Sequence, residues 1–366
     1  MSSPILKKFQ DQIIQAGRSK EVLRITGSGS KDWYGNALKG QTLSTKEYAG
    51  ILNYQPDELV ITVKSGTPLK EVEAALAEKG QQFAFEPPHF GPNATIGGMI
   101  GAGLAGPGRV GVGGLRDFVL GTKIMDGQGQ MMDFGGTVMK NVAGYDVSRL
   151  MPGSLGTLAL LLAVSIKVLP VAAATATVSV QIEQSKAIHL MNLLASQPWP
   201  LNASAWVGEN LGTLYLRLSG AKAAVQSAIS SFSKTYGMQL MAEDEASAFW
   251  TSLREQTHSW FNRTQVENLW RMALPSTTET LPIAGETLIE WHGGQRWYKS
   301  NQAAKEMKSL AQALGGHASA FRSESKNEAL LSSLKDNPLT AALAPVEDRL
   351  RKTFDPQGVF ATGRLI

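Results

Sequence analysis

The stretch Gly91-Pro92-Asn93-Ala94-Thr95-Ile96-Gly97-Gly98-Met99-Ile100-Gly101-Ala102-Gly103-Leu104-Ala105-Gly106-Pro107-Gly108-Arg109-Val110-Gly111-Val112-Gly113-Gly114 decides how the rest of the chain is read. Ten of its twenty-four residues are glycine. Each glycine inside a helix costs about 1 kcal/mol relative to alanine, so composition alone predicts a loop. Ile96, Met99, Ile100, Leu104, Val110 and Val112 are threaded through the glycines and need cover from water, which makes the loop an ordered one. Such a loop brings backbone N–H groups close to a ligand, and runs of these groups form concave anion sites. A phosphate-bearing cofactor is the expected occupant.

Gly101 to Gly106 also has the G-x-G-x-x-G spacing of a dinucleotide-binding turn. Its context argues against that assignment. Such a turn follows a buried strand and opens a helix, whereas here Thr95-Ile96-Gly97-Gly98 precedes it and Pro107-Gly108-Arg109 follows.

Working outward, Leu59 to Val63 reads as a strand and Leu69 to Lys79 as a helix, with Thr67 and Pro68 as its N-cap and N1 residues. Further upstream the strand Val22 to Thr26 runs into Gly27-Ser28-Gly29-Ser30-Lys31. Taken alone, that loop reads first as a turn of small residues and second as a pyrophosphate cradle. Downstream, Phe118 to Met125 and Gln130 to Phe134 form a hairpin through Asp126-Gly127-Gln128-Gly129. Lys140, Asn141, Tyr145 and Asp146 then lead through Gly153-Ser154-Leu155-Gly156-Thr157 into the apolar strand Leu158 to Leu169, which Pro170 ends.

The chain length of 366 residues favours two domains. Hydrophobic residues at 43% and charged residues at 18% are those of a globular protein, and no apolar run reaches the roughly 18 residues of a spanning helix. The net charge of +4 is scattered, so nucleic acid is not an expected partner. Met1 to Glu21 reads as an amphipathic helix and not as a signal peptide, and the expected location is the cytoplasm, with any membrane contact made through partners. The absence of cysteine excludes disulfides, thiolate nucleophiles and Cys-ligated iron–sulfur clusters from this chain.

The ordered set of Gly27-Ser28-Gly29-Ser30, Ala94-Thr95-Ile96-Gly97-Gly98, Arg116-Asp117 before Val119-Leu120-Gly121, and Gly153-Ser154-Leu155-Gly156-Thr157-Leu158 resembles the flavin-binding domain of the FAD-linked oxidases of the vanillyl-alcohol oxidase or PCMH type. Glu86-Pro87-Pro88-His89-Phe90-Gly91, Val138 to Asp146 and Phe354-Asp355-Pro356-Gln357-Gly358-Val359-Phe360 are similar, within that superfamily, to a family of FAD-binding subunits of bacterial glycolate oxidase (glycolate dehydrogenase). The resemblance implies an α+β architecture: a two-lobed PCMH-type FAD-binding domain over residues 1–170, a ferredoxin-like α+β cap over 171–340, and a C-terminal helix and tail over 341–366 that returns to the FAD domain. It implies non-covalent FAD, since the first loop has no histidine. A second flavin subunit and an iron–sulfur subunit are the implied partners, and a small 2-hydroxy acid, glycolate, the implied substrate. A scaffold subunit whose FAD never turns over is the alternative.

Carried onto this sequence, the resemblance gives Gly27, Ser28, Gly29, Ser30 and Lys31 with Thr95, Ile96, Gly97 and Gly98 the pyrophosphate, embraced through backbone N–H groups and hydroxyls. Lys140, Asn141, Tyr145 and Asp146 fall to the flavin ring or ribityl chain, with a solvated lysine equally compatible for Lys140. Ser154, Leu155, Gly156 and Thr157 fall to the adenine end. Pro88, Ala94, Ala102, Gly103, Arg116, Asp117 and Gly121 complete the cofactor contacts. His89 reads as a loop-packing residue or a ligand to cofactor or substrate.

From Thr175 the pattern runs strand, helix, strand, strand, helix, strand, the order of a ferredoxin-like unit. His189, His258, His292 and His317 are isolated, so no metal site can be built from spacing, and no catalytic residue is assigned. Arg271 and Arg296, near Trp270, Trp291 and Trp297, are candidates for a substrate carboxylate or an interface, and equally for arginines stacked on core tryptophans.

Overall fold

The computed structural model describes residues 3–36, 38–136, 146–262, 268–323 and 343–365. The first half holds helix α1 (Pro4–Ser19), strands β1 (Leu23–Thr26), β2 (Gln41–Ser44), β3 (Ile51–Gln55) and β4 (Val60–Lys64), helix α2 (Leu69–Ala77), strand β5 (Gln81–Gln82), helices α3 (Ile96–Ala102), α4 (Arg109–Val112) and α5 (Leu115–Phe118), and strands β6 (Val119–Met125), β7 (Met131–Gly135), β8 (Leu160–Lys167) and β9 (Leu169–Pro170). Two lobes result. In one, β1 and β2 pair in parallel and α1 buries Phe9, Ile13 and Ala16 in a core with Leu23 and Leu43. In the other, an antiparallel sheet in the order β3-β4-β8-β6-β7 is centred on β8, whose apolar run, broken by Ser165, is buried on both faces.

Two expectations from sequence are corrected here. Ile96 to Ala102 is a helix despite Gly97, Gly98 and Gly101. Tertiary packing outweighs propensity: Ile96, Met99 and Ile100 are buried, and a Cβ on Gly97 would lie 2.9 Å from the Ser65 carbonyl oxygen, so the helix needs glycine to lie against β4's end. The N-cap position of α2 is Pro68, not Thr67. The Thr67 hydroxyl donates to the Lys64 carbonyl, at 2.8 Å, and accepts from the Gly50 N–H, at 2.9 Å.

The second half holds β10 (Ala174–Glu183), α6 (Gln184–Ala195), β11 (Leu201–Gly208), β12 (Leu211–Gly220), α7 (Lys222–Tyr236), β13 (Gln239–Leu240), α8 (Glu243–Glu255), β14 (Asn268–Ala273), β15 (Thr287–Glu290), β16 (Gln295–Ser300), α9 (Ala304–Ala313), β17 (His317–Arg322) and α10 (Ala344–Phe354). One antiparallel sheet runs β13-β10-β12-β11-β15-β16-β14-β17. Its first four strands have the 4-1-3-2 order of a ferredoxin-like unit. The remaining four repeat that strand order in reverse, with no helix between β14 and β15, and the two halves join edge to edge at the β11–β15 pair. Helices α6 and α7 share a core with Trp206 and Ile289, and α9 shares one with Trp270, Met272 and Tyr298. The opposite face carries Leu269, Leu288, Trp297 and Phe321, packed with Ala102 and Leu104 of the glycine-rich stretch.

The C-terminal segment comes back to the first half. Phe354 enters the core of the five-stranded sheet, Val359 and Phe360 the core around α1. Asp355 holds the turn between them by accepting from the N–H groups of Val359 and Phe360 at 2.8 and 2.6 Å.

Candidate functional site: two clefts on either side of one wall

A cleft with about 750 Å³ of space free of protein atoms lies between the two lobes of the first half. Of the residues singled out in the sequence, it is lined by Gly27, Ser28, Gly29, Ser30, Lys31, Gly97, Gly98, Ala102, Ser154, Leu155 and Gly156. Thr26, Asp32, Thr45, Ser65, Ile100, Met151 and Arg364 also line it and were not foreseen.

The donors are unevenly distributed. The backbone N–H groups of Gly27, Ser28, Gly29 and Lys31 make no hydrogen bond to any described residue, which leaves a nest of amides open to the cleft. The amides of the second loop are spent internally: Ile96 donates to the Thr67 carbonyl at 2.9 Å, Gly97 to the Ser65 carbonyl at 2.7 Å, and Gly98 to the Thr95 hydroxyl at 3.2 Å. The expectation that this loop offers N–H groups to a ligand is therefore corrected for Ile96, Gly97 and Gly98. This loop contributes a surface without Cβ atoms, close-packed on Ser65. The Ser65 hydroxyl is buried and finds no partner among the described residues.

Lys31 closes the end of the first loop. It is 7% exposed, and its Nζ donates to the His89 carbonyl at 3.0 Å. Burial brings its ammonium down from 10.5 to about 8, with the charge of Glu255 opposing the shift. Arg364, which also lines the cleft, holds the same loop by donating to the carbonyls of Tyr34 and Lys31 at 3.0 and 2.7 Å.

Other singled-out residues are not part of the cleft's lining, although Thr95 packs directly behind Gly27. Ala94, Ile96 and Thr95 are buried beside α2, Thr157 bonds the Ser154 carbonyl, and Gly103 packs on the backbone of Gly153. Gly121 lies in β6 against Gly136, Asp117 accepts from the Gly114 N–H at 2.8 Å beside Arg116, and Asp146 pairs with Arg149 at 3.1 Å. None of these lines the cleft. Lys140, Asn141 and Tyr145 are outside the described residues. His89 pairs with Glu73 at 2.9 Å, and its backbone N–H donates to Glu255, so it is engaged in packing the wall.

Beyond that wall is a smaller cleft lined by Pro88, Phe90 and Leu104 from the first half and by Arg254, Arg271, Glu290, Gln295, Trp297 and Phe321 from the second. Arg271 rests among Trp291, Trp297 and Phe321, 5.3 to 5.9 Å from the ring centres. Its Nε donates to Gln295 at 2.7 Å, and its two terminal nitrogens make no hydrogen bond to any described residue. Arg109 from the glycine-rich stretch also stacks on Trp291, at 4.5 Å. Its own burial and then the charge of Arg271 lower the Arg109 pKa, while Asp117 opposes both. Trp291 and His292 carry positive φ values of 54° and 57°, a strained pair beside this cleft. His292 is fixed by Ser204 at 2.8 Å, and burial lowers it to about 4, so it is neutral at physiological pH.

Arg296 faces the other way. It is fully buried and donates to the carbonyls of Thr278, Glu279 and Gly293, tying a loop to the sheet. Neither cleft includes it.

Residues 8–135 match the FAD binding domain family. Glycolate oxidase subunit GlcE of Escherichia coli K12 is 41% identical over 355 residues, which are 97% of this chain and 95% of that protein. The chain belongs to the GlcE family of glycolate oxidase subunits. Glycolate oxidase subunit GlcD of Bacillus subtilis is 30% identical over 46% of this chain and 39% of its own length, and a D-lactate dehydrogenase of Archaeoglobus fulgidus is 30% identical over 43% and 36%. Among solved structures, alkyldihydroxyacetonephosphate synthase superposes with a TM-score of 0.69 at 14% identity, over 96% of this chain and 74% of that one. That likeness is one of fold. This family member is thus an FAD-linked oxidoreductase chain of α+β class with a PCMH-type FAD-binding fold, and its cofactor is FAD. The first cleft fits that cofactor: a diphosphate needs unspent N–H donors and a cation, and it offers four free amides, the buried Ser65 hydroxyl and Lys31.

Proposed function

We propose that this chain is the FAD-binding subunit of a complex that oxidises a small 2-hydroxy acid, glycolate being favoured by the kinship with GlcE. The observation that carries the reading is the pairing of two clefts across the Lys31–His89 wall: one with anion donors and the other with an arginine whose terminal nitrogens have no hydrogen-bond partner among the described residues. In the first, the amides of Gly27, Ser28, Gly29 and Lys31 and the Lys31 ammonium bind the diphosphate of FAD, and Ser65 adds a hydroxyl donor. Ser154, Leu155 and Gly156 flank the same ligand, and Lys140, Asn141 and Tyr145 are proposed to line its flavin end. Bound there, FAD supplies the hydride acceptor. In the second, Arg271 holds the substrate carboxylate through two parallel N–H donors, and Phe90, Trp297 and Phe321 exclude water around it. The reading includes three segments: an FAD domain over 1–170, a cap over 171–340 and a returning tail over 341–366. An iron–sulfur partner that takes the electrons onward is the matching proposal, since this chain has no cysteine to ligate a cluster.

The FAD-loaded full chain is mixed anaerobically with glycolate, alone and with its partner subunits. Bleaching of the flavin by the chain alone is the expected result for direct oxidation. Bleaching of this chain's own flavin only in the complex, read as flavin reduced beyond that of a complex assembled with the FAD-free chain, assigns the chain to electron relay, and no reduction of this chain's flavin in either sample refutes the reading in favour of a scaffold whose FAD does not turn over.

A further inference from the structure

We propose that Glu290 and Gln295 are positioning residues for Arg271, forming a relay of hydrogen bonds that aims its two terminal nitrogens into the second cleft. The inference rests on the reading of that cleft as the carboxylate site.

The relay crosses three neighbouring strands. Glu290, at the end of β15, is paired in register with Gln295 at the start of β16, and β16 pairs in turn with β14, which carries Arg271. Gln295 Nε2 donates to Glu290 Oε2 at 2.9 Å, and Trp297 Nε1 donates to the same oxygen at 2.7 Å. Arg271 Nε donates to Gln295 Oε1 at 2.7 Å.

The chemistry of these groups permits one arrangement. A guanidinium and an indole only donate, so the Gln295 amide must turn its oxygen to Arg271 and its NH₂ to Glu290. With the amide reversed, two donors would meet at Arg271, and an oxygen would meet the Glu290 carboxylate. Glu290 and Arg271 thus fix the amide from its two ends, and the amide, anchored on Glu290, in turn holds the guanidinium.

The arrangement is costly for a purely structural device. Glu290 and Gln295 are each 4% exposed, and a buried carboxyl group gives up its hydration. Burial raises the Glu290 pKa, and the hydrogen bonds from Trp297 and Gln295 and the Arg271 charge pull it back. An arginine side chain has many rotamers, and holding its Nε removes part of that freedom before a ligand arrives. The fixed groups end at two unspent nitrogens in the cleft, as preorganisation for an anion requires. The strained turn at Trp291 and His292 directly follows Glu290 and is itself pinned, by the Trp291 Nε1 bond to the Gly106 carbonyl at 3.2 Å and by Ser204 to His292.

The test uses the FAD-loaded full chain and two probes, oxalate as a carboxylate and glycolamide, the neutral amide of glycolate, with binding read from the perturbed flavin absorbance. Gln295→Leu and Gln295→Met both remove the acceptor for Arg271, and whichever retains flavin and the wild-type melting temperature is scored. A hydrogen bond from a charged group is worth enough that oxalate affinity should fall about tenfold, while glycolamide stays within about twofold. Glu290→Leu should reproduce that loss, and Glu290→Gln, which keeps an acceptor for Gln295 and Trp297, should recover most of it. Arg271→Leu separates the two proposals. If it leaves oxalate binding unchanged, the reading of the cleft as a carboxylate site is wrong. If it abolishes oxalate binding while the Gln295 and Glu290 variants bind as wild type, the cleft stands and the relay is refuted. Equal loss of oxalate and glycolamide in the Gln295 variants also refutes it, because that is the signature of a merely structural role.

Discussion

Raising the pH should weaken FAD binding, and Lys31 sets both the window and the size of the effect. Burial in the FAD-free protein lowers its pKa from 10.5 to about 8. Below pH 8 the side chain is charged in folded and unfolded states alike, and the FAD-free protein bears the whole cost of burying that charge. Between pH 8 and 10.5 the folded chain releases a proton that the unfolded chain keeps, so its stability rises across this window, by up to about 3 kcal/mol. A bound diphosphate reverses the balance by giving the ammonium a partner. If binding restores the ordinary value, the FAD dissociation constant is flat below pH 7 and increases about thirtyfold by pH 9.5. Fluorescence titration of deflavinated protein with FAD at a series of pH values reads this directly. Lys31→Met should bind FAD more weakly at pH 7 and show no such rise. Glu255→Gln removes the carboxylate that holds the Lys31 pKa up, so its inflection should fall below 8. A wild-type profile that stays flat from pH 7 to pH 9.5 would refute the placement of Lys31 against the diphosphate.

Gly97→Ala puts a Cβ 2.9 Å from the Ser65 carbonyl oxygen and should cost about 1–3 kcal/mol and much of the bound flavin; a melting curve and flavin content equal to wild type would count against the close packing of α3 on β4. Glu86→Ala strands Arg217, whose side chain is 10% exposed and which holds Glu86 through bonds of 2.8 and 2.9 Å, so urea unfolding should show a loss of about 3 kcal/mol. Arg364→Ala frees the carbonyls of Lys31 and Tyr34 and should raise the FAD dissociation constant about tenfold with little change in melting temperature of the FAD-free protein; an unchanged constant would mean that the loop holds its shape without the tail.

The first cleft was legible in the sequence because glycines and short hydroxyl residues there lie in two contiguous runs, Gly27 to Lys31 and Gly97 to Ala102. What those runs do was less legible. Gly97 and Gly98 suggested amides for a ligand, yet whether the Gly97 amide is free depends on Ser65, about thirty residues away, and a serine between Lys64 and Gly66 looks like any turn residue. Arg364 is still more remote, bonding a carbonyl 333 positions back, and no local pattern announces it. The helix α3 escaped notice for a related reason: propensity penalises its glycines one by one, whereas the benefit of each lies in a backbone contact made by another strand.

Arg271 and Arg296 show where a finer reading of the same letters would have succeeded. Both sit in strands among tryptophans, and composition does not separate them. Strand parity does. On β14, β15 and β16, the residues Trp270, Met272, Ile289 and Tyr298 enter the cores shared with helices, and Arg296, which pairs across the ladder with Met272 and Ile289, goes with them. Leu269, Leu288 and Trp297 enter the core shared with the glycine-rich stretch, and Arg271, Glu290 and Gln295 share that face. A slip of one residue in β16 would exchange the two sets, bringing Arg296 into the cleft and sending Gln295 among the helices. The cleft's polar groups are therefore held by the hydrogen-bonded register of three strands, which presents Arg271 there as a fixed guanidinium.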